Sequence, residues 1–186
     1  MEVLTGKTDL NPSDNDWDWL ADGIYFWEQD PKRALDYAVE VAGGSQFNKK
    51  RIKTPFVLGS IIELGNCLNL VESQSLAILE EAYKGLFELY SRIGRKMPVN
   101  RGANRQLDCA VIKYVHLSRL KENLDPFDTV RSAFDEGDKV YENATFSSRH
   151  HIQVCVRDSS KIKGYFLPRP ISEFNPYLLT DFINDK

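Results

Sequence analysis

The spacing of hydrophobic and polar residues along the chain predicts both strands and helices. Short β-branched and aromatic runs predict strands, and the first is Ile24–Trp27, directly after Gly23. Asp30 and Pro31 then form an N-cap and a first helical position. They predict a helix to about Val41, where two glycines follow closely. This part of the chain is therefore expected to be a strand followed by a helix.

A second strand is predicted in the middle of the chain, followed by a pair of helices. The run Phe56–Leu64 is largely apolar and is expected to be a central strand. The segment 67–70 is expected to continue it briefly after the turn at Gly65. Apolar residues then recur at helical spacing over about 73–93 and again over about 107–120. We expect the apolar stripe of the first helix to pack in the core.

The last third of the chain is expected to contain three strands, at about 128–131, 150–158 and 162–167. The second of these alternates, so that Ile152, Val154 and Val156 share one face, which we expect to be the core side. Gln153 and Cys155 then share the other face. Helices and strands are interspersed without the regular alternation of a doubly wound sheet, which predicts an α+β fold.

Composition and charge place the chain among single folded domains, covering 1–186. It has 186 residues, 42% of them hydrophobic, and a net charge of −3, so that no overall positive field would attract nucleic acid. The N-terminus lacks an apolar signal sequence, and the three cysteines are widely spaced. The longest apolar run is too short to cross a membrane. These features predict a cytoplasmic protein without a membrane association.

Common catalytic motifs do not occur in the sequence. There is no phosphate-binding P-loop, GxGxxG, HExxH or GxSxG sequence. The neighbouring His150 and His151 lie in a predicted strand, where adjacent side chains point to opposite faces and cannot chelate one ion together. We therefore expect no metal site.

Three segments in a fixed order carry a family resemblance. Ala21-Asp22-Gly23-Ile24-Tyr25-Phe26-Trp27 leads into a helix, Ile61-Ile62-Glu63-Leu64-Gly65-Asn66-Cys67-Leu68-Asn69-Leu70 follows, and Ile152-Gln153-Val154-Cys155-Val156-Arg157-Asp158 comes last. They resemble the catalytic domains of ADP-ribosyltransferases of the poly(ADP-ribose) polymerase, or diphtheria-toxin-like, branch. The block Asp18–Glu28 is also similar to one found in a widespread group of uncharacterised bacterial proteins. The matched segments cover about a third of the chain by this comparison.

The resemblance implies split antiparallel sheets with flanking helices, into which the helical pair is inserted. It also implies that NAD is bound as a substrate. Tyr25 matches the family's tyrosine that stacks on nicotinamide, with Gly23 and Phe26 in register, and is by this resemblance a candidate catalytic residue as well as a binding residue. Ala34 and Tyr37 match the helix that carries the second stacking tyrosine, with one extra residue between them. These five residues are the expected NAD-binding residues, together with Gln153.

Gln153 occupies the position at which the family has its catalytic glutamate. An amide can accept a hydrogen bond from a ribose hydroxyl, but it cannot supply negative charge or act as a base. That favours the transfer of a single ADP-ribose unit over chain elongation. Glu136, in the preceding loop, is the candidate substitute carboxylate. The structural alternatives are that Gln153 faces water on an edge strand and that Glu136 is a solvated loop residue.

The family's histidine motif, which precedes the Gly-Ile-Tyr-Phe block, has no counterpart here, since residues 1–18 contain no histidine. The expected domain therefore lacks its first strand. An exposed sheet edge beside Tyr25 would need a cover, such as a partner chain or self-association.

Two functions remain open from the sequence. The first is an NAD-dependent mono-ADP-ribosyltransferase acting on a macromolecule, as a toxin or a defence effector. The second is a catalytically degenerate relative that binds a nucleotide or a protein. The acceptor, whether protein, RNA or DNA, is not defined by the residues.

Overall fold

The computed structural model describes residues 2–44 and 53–179. Its elements alternate irregularly along the chain, which confirms the α+β class. The strands are β1 (Ile24–Trp27), β2 (Gly59–Ile62), β3 (Cys67–Asn69), β4 (Thr129–Phe134), β5 (His151–Val156) and β6 (Ile162–Phe166). The helices are α1 (Pro31–Ala42), α2 (Ser73–Arg92), α3 (Gln106–Lys121) and the single turn α4 (Ile171–Phe174).

The strands form two separate sheets. The larger has the order β1-β5-β4-β3, with β5 antiparallel to both of its neighbours and β3 parallel to β4. The smaller is the antiparallel pair of β2 and β6. In the larger sheet Trp27 lies opposite Gln153, and Phe134 lies opposite His151. Because directly opposed residues share a face, these four side chains lie on the same side of the sheet.

The first strand and helix lie where the sequence predicts them. The Asp30 carboxylate accepts a hydrogen bond from the backbone N–H of Arg33 at 2.9 Å, and Pro31 fills the first helical position. The helix ends at Ala42, and Gly44 adopts a φ of 92° that favours glycine. Local capping therefore fixes both ends of α1.

The main core lies between one face of the larger sheet and the helical pair. α2 and α3 occupy nearly the predicted ranges and pack against each other. Leu86 of α2 and Ile112 and Val115 of α3 join Val130 and Cys155 of the sheet in one buried cluster. Burial of this apolar surface is the main stabilising contribution of the helical pair.

The apolar stripe of α2 is only partly buried, and in this respect the sequence prediction is wrong. Leu86 is 4% exposed, but Leu76, Tyr83 and Phe87 are 50%, 42% and 51% exposed. One side of α2 contacts α3 and the sheet, and the stripe is wider than that contact. Helical periodicity alone does not reveal how much of an apolar face is covered.

The middle of the chain differs from the expected central strand. β2 covers four residues of the predicted run, belongs to the smaller sheet, and leaves Ile61 61% exposed. β3 is a separate strand of the larger sheet, because the chain turns at Gly65 with a φ of 58°. The Asp128 carboxylate accepts from the N–H of Asn66 at 2.7 Å and holds this turn against the start of β4. The hydrogen bond between Asp128 and Asn66 thus helps to separate β2 from β3, which the sequence predicts as one strand with a short continuation.

β5 also departs from its predicted burial. Val154 and Val156 are buried, but the main core lies on the opposite face, where Cys155 is fully buried in the cluster under α2 and α3, so the predicted core side is wrong. Burial raises the pKa of the Cys155 thiol to about 12. The strand is therefore covered on both faces at its C-terminal end.

β1 is an edge strand of the larger sheet within the described residues. On its outer side, Gly23 exchanges two backbone hydrogen bonds with Ser13, at 2.8 and 2.9 Å. Trp17, nearby in the sequence, is 50% exposed. The expectation that a partner chain or a further strand covers this edge stays a prediction.

An ion pair links the end of β1 to β4 across the larger sheet. Arg131 donates two hydrogen bonds to Glu28, at 2.6 and 2.8 Å, and these hydrogen bonds lower the pKa of Glu28. A carboxyl group with a lowered pKa in the folded state stabilises the fold above its unfolded pKa of about 4.3, and the effect is lost as the pH falls through the folded value.

We expect Glu28→Gln to reduce the free energy of unfolding at pH 7 and to approach the wild-type value as the pH falls below about 4. Urea denaturation across this pH range measures the difference. Glu80→Gln is the control, because Glu80 and its partner Lys84 are 68% and 66% exposed, and its pH-dependent effect should be clearly smaller. An equal loss in the two variants would contradict the assignment.

Candidate functional site

Polar and aromatic side chains gather where β1 ends and β5 begins. Strand register places Trp27 of β1 beside Gln153 of β5, and His151 lies two residues earlier on the same face. α1 adds Arg33 and Tyr37, and the loop after β4 adds Glu136. We call these six residues the Trp27 cluster: Trp27, Arg33, Tyr37, Glu136, His151 and Gln153.

His151 occupies the centre of the Trp27 cluster, with a fully buried side chain. Its Nδ1 atom lies 2.7 Å from the backbone carbonyl oxygen of Arg149, and its Nε2 atom lies 3.0 Å from Nε2 of Gln153. The Oε2 atom of Glu136 lies 3.8 Å from Nδ1. His151 therefore hydrogen-bonds to Gln153 and lies close to Glu136, which are two of the three residues that the sequence singled out as candidates for catalysis.

Arg33 supplies a nearly buried positive charge. Its Nη2 atom donates to Oε2 of Glu136 at 3.0 Å, and its guanidinium carbon lies 5.8 Å from the Trp27 ring centroid. Its Nε and Nη1 atoms and the indole nitrogen of Trp27 are buried donors, and none of them has a hydrogen-bond acceptor among the described residues. Buried donors without partners are costly, so this corner of the cluster favours an acceptor-rich group.

Two aromatic rings border the cluster. The centroids of Trp27 and Tyr37 are 5.1 Å apart, with their planes tilted by 45°. Tyr37 is 42% exposed, so solvent reaches this pair, whereas the Trp27 ring also contacts His151 at 6.4 Å. A planar ligand ring could reach an aromatic face here.

Tyr25 lies two residues before Trp27 on the same face of β1, but its hydroxyl and its ring have other partners. Its hydroxyl donates to the carbonyl oxygen of Ala21 at 2.6 Å and accepts from the N–H of Leu20 at 2.9 Å, while its ring packs against the core under α2 and α3. Burial raises the pKa of Tyr25 well above its usual range. The ring in contact with Tyr37 is that of Trp27, and the stacking of Tyr25 and Tyr37 on opposite faces of nicotinamide stays a prediction.

The remaining predicted NAD-binding residues, Gly23, Phe26 and Ala34, lie directly before β1, in β1 and in α1. A Cβ atom at Gly23 would lie 2.5 Å from the Cys155 sulfur and 2.7 Å from the Val156 carbonyl oxygen, so the position requires glycine. Phe26 is half-buried on the face of β1 opposite Trp27. Ala34 is half-buried in the first turn of α1, next to Arg33.

Trp27, Arg33 and His151 were not singled out as site residues by the sequence. The signal for His151 was its position two residues before Gln153 in an alternating strand, which puts both side chains on one face. The signal for Arg33 was its spacing of four residues from Tyr37 on a helix. Their grouping with Glu136 depends on long-range contacts that local patterns do not specify.

Two further observations concern the described residues, 2–44 and 53–179. No three histidine, cysteine, aspartate or glutamate side chains converge there in a way that could hold a metal ion. No helix in the same ranges has the length and apolarity needed to cross a membrane. A separate groove of about 460 Å³ lies between α2 and α3, away from the Trp27 cluster.

Comparison with protein families and with solved structures gives no match. The chain is similar to an uncharacterized protein of Methanocaldococcus jannaschii, with 26% identity over 196 aligned positions. The match covers 95% of this chain and 87% of the archaeal protein. The similarity thus extends over nearly the whole domain.

Proposed function

We propose that the protein is an NAD-dependent mono-ADP-ribosyltransferase that uses the Trp27 cluster to transfer ADP-ribose to a macromolecule. The observation that carries the proposal is the His151 bridge, which connects Gln153 on one side and approaches Glu136 on the other. The two separate sheets with an added helical pair are compatible with the split-sheet fold that the resemblance implies. That finer fold assignment is part of the proposal.

The chemistry of the transfer matches the groups in the cluster. The bond between nicotinamide and its ribose breaks, nicotinamide leaves with the bonding electrons, and an acceptor atom bonds to the ribose carbon and loses a proton. The transition state carries positive charge on the sugar, as in glycoside hydrolysis. Gln153 would hold a ribose hydroxyl, Glu136 would supply negative charge, and the rings of Trp27 and Tyr37 would stack on nicotinamide.

In this proposal, Arg33 binds the diphosphate group of NAD. Its Nε and Nη1 atoms have no acceptor within the described residues, and a guanidinium group suits phosphate oxygens. Both atoms are buried, so binding requires a shift of the surrounding side chains, of which Tyr37 is the most exposed in the cluster.

The second candidate function is a nucleotide- or protein-binding module without catalysis. It is favoured by the ion pair between Arg33 and Glu136, which already neutralises the carboxylate that the reaction would need. Gln153 cannot replace that charge. The two functions differ in a single observable, the release of nicotinamide from NAD.

The test is incubation of the protein with NAD and separate pools of protein, RNA and DNA, with nicotinamide release and label transfer as readouts. We expect Gln153→Ala to slow nicotinamide release about 10–100-fold, because a positioned hydrogen bond to ribose is lost. Gln74→Ala, at an exposed glutamine on α2, is the matched control and should leave the rate unchanged.

Other outcomes separate the alternatives. Binding of NAD or ADP-ribose without nicotinamide release would favour a nucleotide-binding module. The absence of both binding and release would overturn the transferase and the nucleotide-binding module, and would leave only the protein-binding form of the second candidate. The product should be one ADP-ribose unit for each modified site, so polymer ladders on a gel would contradict the role given to Gln153. An effector role as a toxin requires that growth inhibition on expression depend on Gln153.

A further inference from the structure

The hydrogen bonds of His151 define which ring nitrogen carries a proton. Nδ1 lies 2.7 Å from the carbonyl oxygen of Arg149, which can only accept, so Nδ1 must donate. The other nitrogen, Nε2, faces Gln153 at 3.0 Å. The atom of Gln153 that faces Nε2 is its amide nitrogen, which can only donate, so Nε2 accepts and each ring nitrogen has its own partner in this buried site.

This arrangement also defines the orientation of the Gln153 amide. The amide nitrogen of Gln153 donates to Nε2 at 3.0 Å, and the backbone carbonyl at Nδ1 leaves Nε2 as the ring nitrogen that accepts. Exchanging the amide oxygen and nitrogen would place two acceptors against each other. The amide oxygen, Oε1, is then directed away from His151, and it makes no hydrogen bond within the described part of the chain.

Two aromatic rings and an ion pair surround the His151 ring. Phe134 and Trp27 contact the ring from the neighbouring strands, with centroid distances of 5.7 and 6.4 Å. Glu136, whose Oε2 atom lies 3.8 Å from Nδ1, accepts from Arg33 through the same oxygen at 3.0 Å. The carboxylate near the ring is therefore already paired with Arg33.

We propose that His151 is a positioning residue that fixes the Gln153 amide with its oxygen facing the site, so that the site selects a ligand with a hydrogen-bond donor, such as a sugar hydroxyl, at this point. The identity of the ligand rests on the function proposed above. The orientation of the amide rests on the geometry of His151 alone, and the two can be tested separately.

The first test is nitrogen NMR of the ¹⁵N-labelled wild-type protein. The chain has three histidines, and the signals of His151 are assigned by their loss in His151→Asn. We expect a ring protonated at Nδ1 and unprotonated at Nε2 at neutral pH. A ring protonated at Nε2, alone or in addition to Nδ1, would overturn the proposal whether or not the protein cleaves NAD.

The second test is a double-mutant cycle on nicotinamide release and on thermal stability. We expect His151→Asn, which can still donate to Arg149, to slow release about tenfold in the wild-type background and to have no further effect in Gln153→Ala. His151→Gln, which offers an amide oxygen near the former Nε2, should recover part of the rate. The same slowing in both backgrounds would show a merely structural role and overturn the proposal.

The two proposals fail in different ways. If the wild-type protein releases no nicotinamide, the proposed function fails, and the NMR result alone decides the orientation of Gln153. If nicotinamide is released but the cycle shows no coupling between His151 and Gln153, the positioning role fails while the proposed function stands.

Discussion

Gly23→Ala is expected to lower the free energy of unfolding by about 2–5 kcal/mol, through overpacking and an unfavourable backbone conformation. The new Cβ atom would lie 2.5 Å from the Cys155 sulfur and 2.7 Å from the Val156 carbonyl oxygen. The latter belongs to the backbone of β5, so the clash is relieved only by separating β1 from its partner strand. Urea denaturation followed by circular dichroism measures the loss.

Gly164→Ala is the matched control for this variant. Gly164 lies in β6, has no positive φ, and would place its Cβ atom more than 4 Å from any neighbour. We expect it to be neutral or stabilising by about 0.4–1 kcal/mol, because alanine restricts the unfolded chain. If Gly23→Ala keeps wild-type stability and loses only NAD binding, Gly23 belongs to the binding site and the packing explanation is wrong.

Leu86→Ala is expected to destabilise the protein by about 2–5 kcal/mol, the range for removing a buried leucine side chain. Leu86 is 4% exposed and lies in the cluster that joins α2 and α3 to the sheet. Thermal and urea unfolding both report the change. Because the cluster also contains Cys155, two residues from Gln153 on β5, loosening it should weaken the support of the candidate site as well.

Leu76→Ala provides the control on the same helix. Leu76 is 50% exposed, and we expect its replacement to change the free energy of unfolding by about 0.5 kcal/mol or less. Equal losses at the two positions would mean that the exposed side of α2 is covered in solution. A wild-type melting temperature for Leu86→Ala would contradict the core assignment.

The face of the larger sheet that carries His151, Gln153 and Cys155 forms part of the core at one end and part of the candidate site at the other. Near Cys155 and Val130 it is covered by the helical pair and forms the core. Near Gln153 and His151, at the other end of β5, the same face carries polar side chains and the aromatic pair of Trp27 and Tyr37. The helical pair thus fixes the central strand from which the candidate site residues project.

The structure places Gln153, Glu136 and Tyr37 in one region, whereas the ring of Tyr25 packs against the core under α2 and α3. Its hydroxyl is engaged by the backbone of Leu20 and Ala21, which gives the tyrosine a structural role at the entry to β1. The role of Tyr25 in stacking on nicotinamide therefore stays a prediction, and Trp27 is the ring placed beside Tyr37.

The sequence by itself determined the elements whose signals are local. Asp30 and Pro31 set the start of α1, helical periodicity set the length of α2, and the alternation from His151 to Val156 set β5. Caps and periodic patterns act within a few residues, so they can be recognised in a single chain without knowledge of its partners.

Only the tertiary structure decided how these elements combine. The separation of β3 from β2 depends on Asp128, 62 residues from Asn66, and the Trp27 cluster joins Arg33 to Glu136 across 103 residues. Exposure of Phe87 and burial of Cys155 likewise depend on which faces the neighbouring elements cover. Strand register and helix docking are set by the total burial of apolar surface, a long-range quantity that no local pattern contains.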